Sequence, residues 1–252
     1  MLHRMNGIVI RTMDHGEGNK IVTLYTEMSG KLSVMARGAK RVKSRHSAVT
    51  QLFTYGEYTF FKATGMGTLN AGEIIHAYHK LREDLAKTAH ASYIVELVDR
   101  IISEKDEASQ GLFHQLKAAL EAIEAGKDGS IITHIFELKM LYMAGYSPVF
   151  DRCVSCDQME EKFAGFDLSS GGLLCQPCYL REQGRSLVSM SDRTLRLIRV
   201  LQQTSLTQLG EVDVSKTTKV ELARLLRAIM DEFIPVKWKA RKFLDQMDKY
   251  GF

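Results

Sequence analysis

The residues best suited to chemistry are the chain's four cysteines, which fall together as Cys153-x-x-Cys156, an 18-residue spacer, and Cys175-x-x-Cys178. Two CxxC pairs at this separation match the four-thiolate pattern of a zinc site. Each pair wraps a tight turn around one metal, and the spacer needs only a hairpin to bring the pairs together. Residues 163–168, followed by Ser169-Ser170-Gly171-Gly172, read as that hairpin, with glycine where a turn asks for positive φ. Four thiolates complete a tetrahedron and leave no open position for water, so the expected zinc is structural. Two disulfides would require an oxidising compartment, and no apolar export segment follows Met1. A redox CxxC suits one pair better than two. A zinc deaminase is excluded: His15-Gly16-Glu17 is formally an HxE, but Leu174 precedes Cys175 where that motif wants proline.

The second constellation is cationic. Arg37, Lys40, Arg41, Lys43 and Arg45 fall within nine positions, and no acid follows until Glu57. Glycine, alanine and serine between them are expected to keep the backbone mobile and to add phosphate donors, as a loop wrapping a nucleic-acid backbone requires. Charge runs are commonly just solvated loops. Here the surroundings share the bias: residues 1–80 hold 11 Lys and Arg against 5 Asp and Glu, leaving the remainder acidic on balance. Tyr55, Tyr58, Phe60 and Phe61 follow the run. An exposed pair among them could stack bases, while strand alternation sends at least half into a core.

Catalysis finds no support. Gly-x-Ser-x-Gly and a Walker loop are absent, Gly65-Met66-Gly67 is too short for a dinucleotide fingerprint, and no paired carboxylates stand out. The histidines show no ligand spacing to the cysteines, and Trp238 reads as a packing anchor.

These residues must be carried by two kinds of element. Segments at 7–11, 21–26, 31–37, 55–62 and 69–77 are β-rich and separated by turn signals. Five strands with one long connection between the third and fourth suit a small closed barrel of the OB type; an SH3-like barrel fits the same count. Past residue 80 the apolar period becomes helical, over 85–103, 110–125, 130–144, 191–203, 215–233 and 237–249. Ser191 or Asp192 is the expected N-cap of the fourth of these, and Pro235 ends the fifth. The fold class is therefore α+β: an N-terminal OB-type β-barrel over 1–80, then an all-α domain over 81–252 carrying a four-cysteine zinc-binding insert at 150–180. Apolar stretches such as residues 94–102 are broken by charges, so a soluble cytoplasmic protein without membrane partners is expected.

The segment at 19–26, then Gly30-Lys31-Leu32 and Ala36-Arg37-Gly38-Ala39-Lys40, resembles the N-terminal barrel of the bacterial RecO family. Gly145-Tyr146-Ser147-Pro148 running into Cys153, and Gly171-Gly172-Leu173-Leu174-Cys175, resembles the same family's join between helices and zinc motif. The resemblance implies a recombination mediator in DNA repair, acting in the RecF pathway, that binds and anneals single- and double-stranded DNA. It also implies association with RecR and with single-stranded DNA-binding protein, so that RecA is loaded onto covered strands near the nucleoid. By it, Cys153, Cys156, Cys175 and Cys178 hold zinc and the five cations contact phosphates. The competing classes are a protein-interaction adaptor with an incidental basic loop, and a metal-dependent enzyme acting on nucleic acid.

Overall fold

The computed structural model describes residues 1–159, 162–182 and 187–250; residues 160 and 161 of the expected insert, and the last two of the chain, lie outside these. Five strands open the chain: β1 (Leu2–His15), β2 (Asn19–Thr26), β3 (Gly30–Ala36), β4 (Tyr55–Phe61) and β5 (Gly67–His76). They close into a barrel in the order β1-β2-β3-β5-β4. The β3–β5 seam is parallel and the other pairings are antiparallel. This is the Greek-key order of an OB-type barrel, and it sets the SH3-like alternative aside.

Alternation explains the interior. Val22 and Leu24 of β2, Leu32 and Val34 of β3, and Tyr58 and Phe60 of β4 point inward and are buried. Burying each contributes about 1.5–3 kcal/mol. β1 is longer than its apolar segment suggests, because its first half pairs with β4 and its second half with β2.

The described helices are α1 (His79–Glu83), α2 (Leu85–Ile101), α3 (Gln110–Glu124), α4 (Gly129–Met143), α5 (Gln176–Arg181), α6 (Asp192–Gln203), α7 (Lys216–Phe233) and α8 (Lys239–Tyr250). Polar side chains start several of them: Asp84, Ser109, Ser191 and Ser215 each accept an amide hydrogen bond from the first turn of α2, α3, α6 and α7. No helix among the described residues is long and apolar enough to cross a membrane.

The chain folds as two compact units, Met1–Gly129 with Trp238–Phe252, and Ser130–Lys237. In the first, α2 and α3 pack on the barrel, and α8 returns to α2. Glu96 accepts from the Lys239 and Ala240 amides at 2.9 and 2.8 Å, and Trp238 meets Tyr93 edge to face at 5.9 Å. In the second, α4, α6 and α7 accompany a small sheet of β6 (Val149–Cys153), β7 (Phe163–Asp167), β8 (Gly172–Cys175) and β9 (Leu187–Val188), in the order β6-β8-β7-β9.

Candidate nucleic-acid interface and metal centre

The basic run lies in the connection between β3 and β4, and its backbone is a succession of turns. The Arg41 amide donates to the Gly38 carbonyl, Ser44 to Arg41, Ser47 to Ser44 and Thr50 to His46, each at 3.0–3.2 Å. Gly38 makes this possible with φ of 68°, a left-handed conformation that glycine adopts freely. Ala39, His46, Val49 and Phe53 anchor the turns by burial. Val49 sits over Gly72 of β5, where a Cβ would approach it to 2.6 Å, and its carbonyl accepts from the Tyr58 hydroxyl at 3.0 Å. The expectation of a mobile segment is thus corrected: hydrogen bonds and buried anchors fix its path, and the small residues permit tight turns instead of freedom.

Above that backbone, Arg37, Lys40, Arg41, Lys43 and Arg45 are all exposed. Lys40 pairs with Asp14 at 2.8 Å, and Arg45 Nε donates to the His46 ring at 3.3 Å. The pair with Lys40 holds the Asp14 carboxyl below its ordinary range. Among the described residues Arg37, Arg41 and Lys43 have no acidic partner. The start of the run is tied to the β1–β2 turn, since Asn19 Oδ1 accepts from the Gly38 amide at 2.9 Å and the Lys40 amide donates to the Gly18 carbonyl at 3.1 Å. Of the four aromatics, Tyr58 and Phe60 are core, Tyr55 leans on Phe113, and Phe61 is 53% exposed. An exposed aromatic pair does not form.

What covers the outer surface of β2 and β3 is not marked in the local sequence pattern. Tyr25 stacks on Phe113 of α3 at 6.4 Å. Lys31 forms an ion pair with Asp99 of α2 at 3.0 Å and donates to the Ile102 carbonyl at the same distance. Ser33 donates to Glu104 at 2.5 Å, and Arg11 lies 3.5 Å from Asp99. Burial pushes the Tyr25 phenol up to about 12. No local signal marks this closure, because the partners lie some 70 positions downstream and look like ordinary helix-surface charges.

The metal-ligating candidates meet in the second unit. Cys153 ends β6, Cys156 follows a turn from it, Cys175 ends β8 and Cys178 lies in α5. Their four sulfurs lie within 4.8 Å of one another and all four thiols are free, so the group could hold a metal ion. Cys156 and Cys175 sulfurs are 3.8 Å apart. A tetrahedron with zinc–sulfur bonds of about 2.3 Å has edges of about 3.8 Å, so the sulfurs fit that ion. The hairpin turns at Gly171, with φ of 68°.

The surroundings favour thiolate in part. Burial alone would raise the Cys153 thiol, but amides of Cys175, Cys156 and Ser155 donate to its sulfur and bring it down to about 6. Burial raises Cys175 to about 12. Cys178 is lowered by the Ser155 hydroxyl and by Arg181, whose guanidinium donates to its sulfur at 2.8 Å. The insert is fastened to its own unit: Arg199 and Gln202 of α6 donate to the Phe150 and Pro148 carbonyls at 2.5 and 3.1 Å, and Tyr146 meets Phe233 of α7 at 4.9 Å.

Comparison with known proteins decides the family. The family described as Recombination protein O N terminal matches residues 1–78, and the one described as Recombination protein O C terminal matches residues 82–242. A protein of Halalkalibacterium halodurans named DNA repair protein RecO is 39% identical across the whole chain and 98% of its own length. Those of Bacillus pumilus and Bacillus subtilis, with the same name, are 42% and 40% identical over 98% of this chain, covering 95% and 96% of theirs. The chain belongs to the RecO family.

As a RecO-family DNA repair protein it carries its basic turns inside the N-terminal match and its four cysteines inside the C-terminal one. One polar group of this RecO chain escaped the sequence reading. His134 Nδ1 lies 2.8 Å from Glu137 on α4, and His134 Nε2 lies 3.4 Å from Ser130 Oγ. The side chains of His134 and Glu137 are 9% and 3% exposed, which makes them a satisfied core pair of the RecO helical unit and not a reactive relay.

Proposed function

We propose that the protein is a non-enzymatic recombination mediator that binds single- and double-stranded DNA through Arg37, Lys40, Arg41, Lys43 and Arg45. In this reading it anneals complementary strands and, with RecR and single-stranded DNA-binding protein, helps load RecA at the bacterial nucleoid in the cytoplasm. The observation that carries it is the exposure of all five cations on a hydrogen-bonded backbone. Charges held in place but left in solvent meet a polyanion at little ordering cost. Phosphate contacts position a strand without reading its sequence and leave base edges free to pair, which is what annealing asks of a protein. Zinc held by Cys153, Cys156, Cys175 and Cys178 is structural in this reading and braces the insert against α6 and α7.

Titrating a labelled oligonucleotide at a series of salt concentrations tests this. With about four phosphates neutralised, log affinity falls against log salt with a slope near −3, at about −0.7 per phosphate on a single strand. Replacing Lys40, Arg41, Lys43 and Arg45 together by Ala flattens the slope and abolishes strand annealing. An unchanged titration would mean that DNA runs elsewhere or that the barrel serves only as a protein adaptor.

A further inference from the structure

An OB-type barrel ordinarily takes oligonucleotides across strands 2 and 3, between the β1–β2 and β4–β5 turns. Here half of that face is shut. The paired rows Thr23–Ser33 and Tyr25–Lys31 lie beneath α2, α3 and their connection, with Asp99 and Glu104 holding the very groups, Lys31 and Ser33, that would face a phosphate. The next row toward the β1–β2 turn is open. Following the pairing register around the barrel from Phe61, it passes through Thr68 and Met35 to Ile21 and Met13. Phe61 and Met13 are 53% and 52% exposed, and Met35 and Ile21 are half-buried. This apolar belt points outward because its neighbours Phe60, Val34 and Val22 fill the core.

The turns that border the belt are cationic. Residues 13–20, 37–45 and 61–68 together hold seven Lys and Arg against two acids, Asp14 and Glu17. Lys20 and Lys62, outside the basic run, add to it from β2 and from the end of β4; Lys20 stands opposite Asp14 on β1, an acid that already pairs with Lys40, so this end of the barrel stays cationic on balance. We infer that a single nucleic-acid strand crosses this end of the barrel, its bases against the Phe61–Met35–Ile21 belt and its phosphates on Lys62, Lys20 and the basic turns, while the covered half of the β2–β3 face takes no part. A flat aromatic beside half-buried aliphatics offers every base a stacking surface without discriminating among them, and the cations track the backbone. This track rests on the DNA-binding reading above and adds Phe61, Lys20 and Lys62 to it.

Fluorescence anisotropy with labelled oligo-dT and the full-length protein tests it. Phe61→Ala is expected to lose about ten-fold in affinity and Phe61→Trp to retain it. Lys62→Ala is expected to reduce the steepness of the salt slope by about 0.7. Glu104→Gln, which loosens the covered face at an exposed position, should leave affinity within two-fold. Circular dichroism confirms that each variant is folded, and Phe61 is exposed enough for Ala to be tolerated. If wild type binds and the four-Ala variant of the basic run does not, yet Phe61→Ala and Lys62→Ala bind as wild type, the track is wrong and the DNA-binding reading stands. A gain of several-fold in Glu104→Gln would place the strand on the covered face and overturn the inference alone. Undiminished binding by the four-Ala variant would overturn both.

Discussion

Arg37, Arg41 and Lys43 stand in solvent with no acidic partner among the described residues, above a backbone tied into turns, whereas the sulfurs of Cys153, Cys175 and Cys178 are buried among one another. In the proposed function both arrangements prepare charge for a ligand of opposite sign, and they differ in what the folded chain gives up without that ligand. Exposed cations are already solvated, so leaving them empty costs little, and binding is limited by salt. Buried thiols that repel once ionised would need the proposed zinc, so that metal binding and folding of the insert would become one event. Mutations should therefore separate along the same line, affinity effects in the barrel and stability effects in the insert.

The largest expected effect comes from breaking the insert. Cys175→Ser should lose zinc, measured by metal analysis, and lower the melting temperature by roughly 10 °C, as a loss of about 3 kcal/mol does in a chain of this size. Equal melting temperatures would remove the contrast. Next comes a cation in the barrel that behaves like the insert. Lys31 is only 12% exposed and faces Asp99 at 8%. Lys31→Ala leaves that carboxylate only the longer contact to the half-exposed Arg11 at 3.5 Å, and should cut the melting temperature while leaving oligonucleotide affinity unchanged. A fall in affinity without a fall in stability would show that burial does not sort the two kinds of charge.

A smaller effect sharpens the comparison inside the insert. Arg181 donates to the Cys178 sulfur and, in the proposed zinc site, would offset part of the negative charge of four thiolates around one dication. Arg181→Ala should weaken zinc binding about ten-fold in a chelator competition while Arg181→Lys loses less; equal affinities would make the contact incidental. The smallest is a pH effect. Glu221 of α7 accepts hydrogen bonds from Thr194 and Ser191 at the start of α6, which hold its carboxyl below the ordinary range. A depressed carboxylate stabilises the fold above its unfolded pKa and loses that contribution as pH falls through the lowered folded value. Glu221→Gln should lower the melting temperature at neutral pH, with the deficit shrinking as pH falls through that acid window, so that the variant's dependence on pH is flatter there. An unaltered acid limb would put the acid sensitivity elsewhere.

Legibility followed the range of the interactions. Val22, Leu24, Leu32 and Val34 announced their strands because alternation is a two-residue signal, and the CxxC pairs announced their cluster because ligand spacing is local. The turn structure of residues 37–54 was hidden, since small residues that allow tight turns also allow disorder, and Val49 had to find Gly72 on another strand to decide between them. The closing of the β2–β3 face was hidden for the same reason on a longer scale. Asp99 and Glu104 look like solvent-facing helix charges until the barrel brings Lys31 and Ser33 to them. The long reach of β1 was masked by polar residues such as Arg4 and Asp14, which suit an outward position in a strand as well as they suit a loop.

The return of α8 to α2 makes the first unit discontinuous, with a helix supplied from beyond the whole of the second unit. During synthesis residues 130–237 emerge whole while the barrel's own unit still lacks a piece. Until Lys239 and Ala240 arrive, Glu96 has no amides to cap and Tyr93 no indole against it. Completion thus waits on a contact spanning more than 140 positions, which slows that step of folding and ties the integrity of the N-terminal module to α8.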